Sequence, residues 1–496
     1  MSSSQSSEAS SPGPSSLGTG ASGTGQQRPP LNIFPQPAAE DWRTLAEKAL
    51  KGAEFASLRS ETRDGIAIEP LYPRAADAAP IAARSGPWRI VQRIDHPEPA
   101  AASRQALADL SGGADGLALI FTGAPSAAGF GLPESEEAIA TALEGVELPA
   151  IHLRLEPGAD AVQTARRVAA LVAKKNLSPA DCSIAFGIDP IGRIARFGGD
   201  ISSVDFSALA VLLRELETAG FAGPVFEADG RIYHSAGASE AQELAAVVAT
   251  IAGLVRGLAA EGLSPGEVLP KIGVTLAAGH DQFATIGKFR AVSLLTRRLG
   301  EVCGVSDFSP RLHGETAARM MMAADAHNNL IRTTIAAFSA AAGGAQTLGV
   351  LGFSSAHGLP DRAARRYARN IQHLLMAESG IHHLDDPAAG SGAVEALTDA
   401  LCEKSWPEFQ AIEAEGGILK SLIDQAFTGR IAEARKALLE KIADGASPFV
   451  GATLYPNPKE PEIAVEASQI PQQSGLLTPL SAAEITALTA NEKVSA

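Results

Sequence analysis

The chain has 496 residues, 45% of them hydrophobic, and a formal net charge of −15 with no basic cluster. That length and apolar content supply an ample core, and the acidity argues against a surface that neutralises nucleic-acid phosphates. Cys182, Cys303 and Cys402 match no metal or disulfide spacing and lie in or beside apolar sequence. They read as buried thiols, which suits a reducing cytoplasm. No apolar run is expected to reach the ~18 residues that span a membrane. The N-terminus has the character of neither a signal peptide nor a transit peptide.

Residues 1–37 are rich in Ser, Gly, Gln and Pro and read as a disordered tail. An N-terminal arm follows over 38–86, opening with a helix capped by Asp41 and continuing as a hairpin between Phe55 and Pro73 around Asp64-Gly65. From Pro87 strands and helices alternate. Strand-like runs are Trp88–Arg93, Gly116–Phe121, Ala150–Leu155, Cys182–Phe186, Val225–Glu227, Ile272–Leu276, Gln346–Leu351 and Ile381–Leu384. Helical patterns over Asp160–Lys175, Phe206–Ala219, Glu240–Glu261 and Gln282–Gly300 lie between them. About eight such strands in roughly 300 residues predict a closed (β/α)8 barrel over 87–393. A helical linker or belt is expected over 394–465, with helices Val394–Glu415 (broken near Pro407), Ile418–Thr428 and Ile431–Ala443. Residues 466–496 read as a loose tail with one short helix at Ser481–Ala490.

Few polar combinations survive scrutiny. Asp325-Ala326-His327 opens like an Asp-x-His-x-x-Gly cobalt-ligating loop, but Leu330 stands where Gly is needed. His382-His383 alternates along its presumed strand, so the rings should face opposite sides. Gly129-Phe130-Gly131 lacks a third glycine and Gly390-Ser391-Gly392 lacks a P-loop Lys. Lys288 and Arg290 read as solvated or helix-packing cations. The loop from Val225 to Ala238, with its turn at Asp229-Gly230, sits where barrel enzymes carry catalytic side chains.

Two segments then carry a family resemblance. Arg366-Tyr-Ala-Arg-Asn-Ile-Gln-His-Leu-Leu-Met-Ala-Glu-Ser-Gly-Ile-His-His-Leu-Asp-Asp-Pro-Ala-Ala-Gly-Ser391 resembles the signature of methylmalonyl-CoA mutases, departing from it at Tyr367, Ala377 and His383. Asn328-Asn329 with Arg332-Thr333-Thr334, followed by Gly344–Leu348, resembles a second block. Asp281–Ala291 and Gly237–Leu244 add two more. The resemblance implies a substrate-binding (β/α)8 barrel threaded along its axis by the pantetheine of coenzyme A. It also implies isomerisation of methylmalonyl-CoA to succinyl-CoA through an adenosylcobalamin-derived radical, with the protein positioning and shielding the reaction.

The departures matter as much. The resemblance places Arg231 and Ile232 where active chains have Tyr and a His that hydrogen-bonds the thioester carbonyl; Ile232 can do neither part of that. Tyr233-His234 offers the pair only through a two-residue slip. Gly349–Ser354, Ile188–Phe197 and Ile81–Ser85 also lack the polar groups of active chains, and no flavodoxin-like cobalamin domain is expected. The resemblance therefore implies a non-catalytic small subunit. It would bind no cofactor or metal itself and would pair with a homologous large subunit that carries adenosylcobalamin. The alternative is a catalytic acyl-CoA mutase barrel served by a separate cobalamin-binding subunit.

Overall fold

The computed structural model describes residues 38–81, 84, 86–468 and 474–492. The disordered tail expected over 1–37 lies outside them. Two compact units divide the chain, residues 1–58 and 59–496. In the first, a helix spans Ala39–Ala49, and Trp42 meets Phe55 edge-on at 6.1 Å. The helix starts two residues before the expected cap. Ala38 is the cap residue, and Asp41, already inside the first turn, accepts from the Ala38 backbone N–H at 3.2 Å. A carboxylate in the first turn also suits the helix dipole.

The second unit opens with the expected hairpin, Ser60–Glu61 against Ala67–Ile68 around Asp64-Gly65. Eight parallel strands follow: β1 Arg89–Ile94, β2 Gly116–Ile120, β3 His152–Glu156, β4 Ser183–Ala185, β5 Phe226–Asp229, β6 Ile272–Ala278, β7 Leu312–Thr316 and β8 Thr347–Gly349. Their order is β4-β3-β2-β1-β8-β7-β6-β5. The ends of that row meet through Ile188 and Phe226, with Phe186 N–H donating to Pro224 at 2.9 Å and Glu227 N–H to Ile188 at 3.0 Å. The sheet is thus the expected barrel.

One expected strand is replaced by another. Ile381–Leu384 is no strand: Ile381–His383 forms a 3-10 turn after Gly380, whose φ of +63° ends the preceding helix. The His382 and His383 rings consequently sit 4.3 Å apart, not on opposite faces. The eighth strand is β7, whose Leu-His-Gly-Glu-Thr sequence hides it because its inward residues are polar.

Outside the barrel, helices Phe206–Ala219, Glu240–Ala260 and Gln282–Val302 lie as expected. Ser239 caps the second with a reciprocal Gln242 bond, and Asp281 caps the third. Contrary to expectation, Glu240–Ala260 is long and apolar enough to cross a membrane; it is mostly buried, as a core helix is. In the linker, Gly392–Ala414 runs unbroken through Pro407. The next breaks fall elsewhere, giving Ile418–Ile423 and Ala426–Ala443, with Gln425 at φ +61° between them.

The segment expected as a loose tail is bound at several described points. Val465–Ser468 pairs with Gly358–Pro360. Leu477 N–H donates to Ala195 at 3.0 Å and Leu480 N–H to Ser235 at 2.8 Å, which lays this stretch over the upper mouth of the barrel. The short helix is Ala482–Glu492.

Candidate functional site

Strand residues alternate between lumen and helices. On β3, Leu153 and Leu155 join the apolar shell while His152, Arg154 and Glu156 point to the lumen side. Barrels of this type usually fill each interior layer with bulky aliphatic side chains from alternate strands. Here the uppermost layer is ionic. It comprises Arg93 of β1, Glu156 of β3, Asp229 of β5, Glu315 of β7 and the guanidinium of Arg231, which reaches back from the short helix Arg231–Ala236.

Arg231 is 7% exposed and holds three carboxylates at once: Asp229 at 2.7 Å, Glu315 at 2.8 Å and Glu156 at 3.0 Å. Arg93 bonds the other oxygen of Glu315 at 3.0 Å and Asp95 at 3.3 Å. One step below, Arg154 joins Glu156 and Glu227, each at 3.2 Å, and Thr275 Oγ1 donates to Glu227 at 2.6 Å. Because β3 and β7 lie opposite each other in the ring of eight strands, the bonds of Arg231 to Glu156 and Glu315 bridge the barrel axis. A small apolar cluster, Val91, Ala118 and Ile120 with Ala124 and Ala127, fills the β1–β2 side.

The electrostatics follow from burial and pairing. Burial pushes the Glu156 carboxyl up, but Arg231, Arg154 and Arg93 outweigh it and hold it well below the usual carboxylate range. Burial likewise opposes the charge on Arg231, and Asp229, Glu156 and Glu315 more than restore it. Asp189, in the loop after β4, has no cation to offset burial; it also faces Asp229 and is pushed up to about 7.

Ile232, the other marked position, lies against this layer and offers no polar atom. Neither member of the displaced pair reaches the lumen. Tyr233 is 1% exposed and packs on Phe427 at 5.9 Å. His234 is 2% exposed and accepts at Nε2 from Arg319 at 2.8 Å. Burial first, then Arg319 and Lys288, hold it neutral. Lys288 and Arg290 are wholly buried, not solvated. Lys288 pairs with Glu243 at 2.5 Å, and Arg290 pairs with Asp386 and with Glu395 at 2.6 Å. Of the cysteines, Cys182 is buried and the other two are partly so.

Two cofactor chemistries can be weighed against these side chains. Glu156, His313 and Glu315 place ligand atoms within 4.8 Å of one another. Both carboxylates are already neutralised by guanidinium groups, so a cation there would meet Arg93, Arg154 and Arg231 at close range, and the group does not fit a metal centre. His327 stacks on Phe353 at 5.0 Å, where helix Asn328–Ala342 begins, and forms no cobalt-ligating loop. These residues do not fit cobalamin.

Above the ionic layer lies a cavity of about 480 Å³, roofed by Thr478–Glu484. Fold and site define a (β/α)8 barrel whose upper lumen is filled by paired ions. The family described as Methylmalonyl-CoA mutase matches residues 58–478. The methylmalonyl-CoA mutase small subunit of Streptomyces virginiae is 34% identical over 471 residues, covering 89% of this chain and 74% of that one. In Propionibacterium freudenreichii subsp. shermanii the small subunit is 30% identical over 454 residues, covering 85% and 69%. The large subunit from the same organism is 32% identical over 238 residues, covering 47% and 33%. The chain belongs to the methylmalonyl-CoA mutase family, cobalamin-dependent isomerases.

Proposed function

We propose that this chain is the non-catalytic small subunit of a heterodimeric methylmalonyl-CoA mutase. It stabilises a homologous large subunit, on which adenosylcobalamin binds and the isomerisation takes place. The observation that carries this reading is the position of Arg231, bonded to Glu156, Asp229 and Glu315 across the axis. A pantetheine chain threaded along that axis would have to displace buried, fully paired ions, each costing several kcal/mol to strip of its partners. The apolar Ile232 and the buried His234 support the same reading, since neither can bond a thioester carbonyl from where it lies. Two homologous barrels in one dimer follow from duplication of a homodimeric ancestor.

Co-expression with a large subunit tests the proposal. The expected result is equimolar copurification, with all cobalamin absorbance and all turnover dependent on the partner. Cobalamin bound by this chain alone, or mutase turnover without a partner, overturns it.

A further inference from the structure

The roof of the 480 Å³ upper cavity and the barrel beneath it are held in different ways. Leu480, Ser481 and Glu484 line the cavity from the roof, and Ile232 and Ser235 line it from the short helix Arg231–Ala236. The roof chain is anchored by apolar side chains: Leu477 and Leu480 are each 4% exposed, and Ile485 is wholly buried. Two backbone bonds tie it to the barrel, Leu477 N–H to the Ala195 carbonyl at 3.0 Å and Leu480 N–H to the Ser235 carbonyl at 2.8 Å. Gly475 passes so close that a Cβ there would lie 2.1 Å from the Arg196 carbonyl oxygen.

Arg435 clasps the stretch from the outside. From the helix Ala426–Ala443 it donates to the Thr478 carbonyl at 2.6 Å, to the Ala236 carbonyl at 3.4 Å and to the Glu484 carboxylate. One guanidinium therefore joins the roof to the last turn of the helix whose first residue is Arg231. The Arg435–Glu484 pair is partly exposed, so solvent screens it.

Residues 474–481 form neither helix nor strand, and the approach to them over 456–462 is exposed, irregular and carries Pro456, Pro458 and Pro461. By contrast, β2 and β3 are buried at every position and hydrogen-bonded to strands on both sides. Segments with few backbone bonds and exposed flanks open locally at a free energy well below that of global unfolding. Lifting the roof exposes a few apolar side chains and one screened ion pair; opening the barrel breaks a closed sheet.

We propose that residues 475–485 are a releasable strap. Pinned, it roofs the upper cavity and, through Ser235 and Ala236, clamps the helix that delivers Arg231 to the ionic layer. Released, it opens the cavity from above and frees the last turn of that helix. The strap and anything entering from above compete for one space. This control of the upper mouth does not depend on which subunit carries the chemistry.

Thiol labelling of the full chain tests this. Ser235→Cys places a reporter under the roof, and Cys182, 4% exposed at the start of β4, reports on the barrel itself. A maleimide carried on polyethylene glycol, read by peptide mapping, should label position 235 about tenfold faster or more once Leu480→Ser removes an anchor, with Cys182 still protected. A chain ending at Ser468 should label at least as fast, again with Cys182 protected. In the unsubstituted chain, the amides of Leu477 and Leu480 should exchange hydrogen well before those of β2 and β3, a readout that needs no variant to fold. Equal labelling of position 235 with and without the anchor overturns the strap. So does Cys182 becoming reactive together with position 235, or exchange at Leu477 and Leu480 as slow as in the strands, since roof and barrel would then open as one unit.

Discussion

Replacing Arg231 with Met keeps most of the stem's volume and removes the charge that Asp229, Glu156 and Glu315 share. Stripping one partner from a buried ion pair costs ~3–5 kcal/mol, because the remaining charge stays desolvated. Arg93 and Arg154 still touch Glu315 and Glu156, so the cost falls inside that range and not above it. At ~2.1 cal/mol/K of unfolding entropy per residue, a unit spanning residues 59–496 has roughly 0.9 kcal/mol/K. The melting temperature should therefore drop by about 3–6 °C in scanning calorimetry at pH 7.5.

The pH dependence gives a second reading. In the native chain Glu156 is held below the ordinary range, so its stabilisation is complete above the unfolded pKa and is lost as pH falls through the lower folded value. Without Arg231 its folded pKa rises, and protons taken up as pH falls toward 5 relieve the unpaired carboxylates. The gap between native and variant should narrow from pH 8 to pH 5.5. A drop below 1 °C at pH 7.5, or a gap that ignores pH, refutes the reasoning.

Lys288→Met should cost ~3–5 kcal/mol, since it leaves Glu243 unpaired at 0% exposure; adding Glu243→Gln should recover part of the loss in urea denaturation, and no recovery counts against the pairing. Asp189 is raised to about 7, so the folded state keeps a proton that the unfolded chain loses above its usual 3.8, and stability falls as pH rises from about 4 to 7. Asp189→Asn should flatten stability across that window, and an unchanged slope would exclude Asp189 as its source. Gly237 has φ +115°, and a Cβ there would lie 2.5 Å from the Arg435 Cβ. Gly237→Ala should destabilise by about 2–4 kcal/mol through strain and overlap, read as a lower melting temperature; a neutral effect would mean that the Ala426–Ala443 helix shifts freely.

Most of the barrel is legible in sequence because seven strands carry apolar or alternating runs separated by recognisable helical patterns. β7 escapes that reading for a physical reason: its inward positions are His313 and Glu315, and Gly314 offers no apolar side chain to the shell. Ile381–Leu384 misleads in the opposite way. Apolar ends around two histidines imitate alternation, while Gly380 turns the chain into a 3-10 geometry. The site was half visible. Resemblance marks Arg231 and Ile232 as substitutions, but what Arg231 does depends on Glu156 and Glu315, from two distant strands, as well as on nearby Asp229. A local signal was nonetheless present: His152-Leu-Arg-Leu-Glu156 places three polar residues on one face of a buried strand, as Glu227 and Asp229 do on another.

The ionic layer also bears on the order in which the chain folds. Arg231 and Glu315 are 84 residues apart, Arg154 and Glu227 are 73 apart, and Arg93 and Glu315 are 222 apart. None of these pairs can form inside a single strand–helix–strand unit. Until the ring of strands shuts, each charge stays better served by water than by protein. Early intermediates thus gain nothing from them, and the final closure collects their whole attraction in one step. Such a layer makes the last step of assembly abrupt and rewards only the correct strand order.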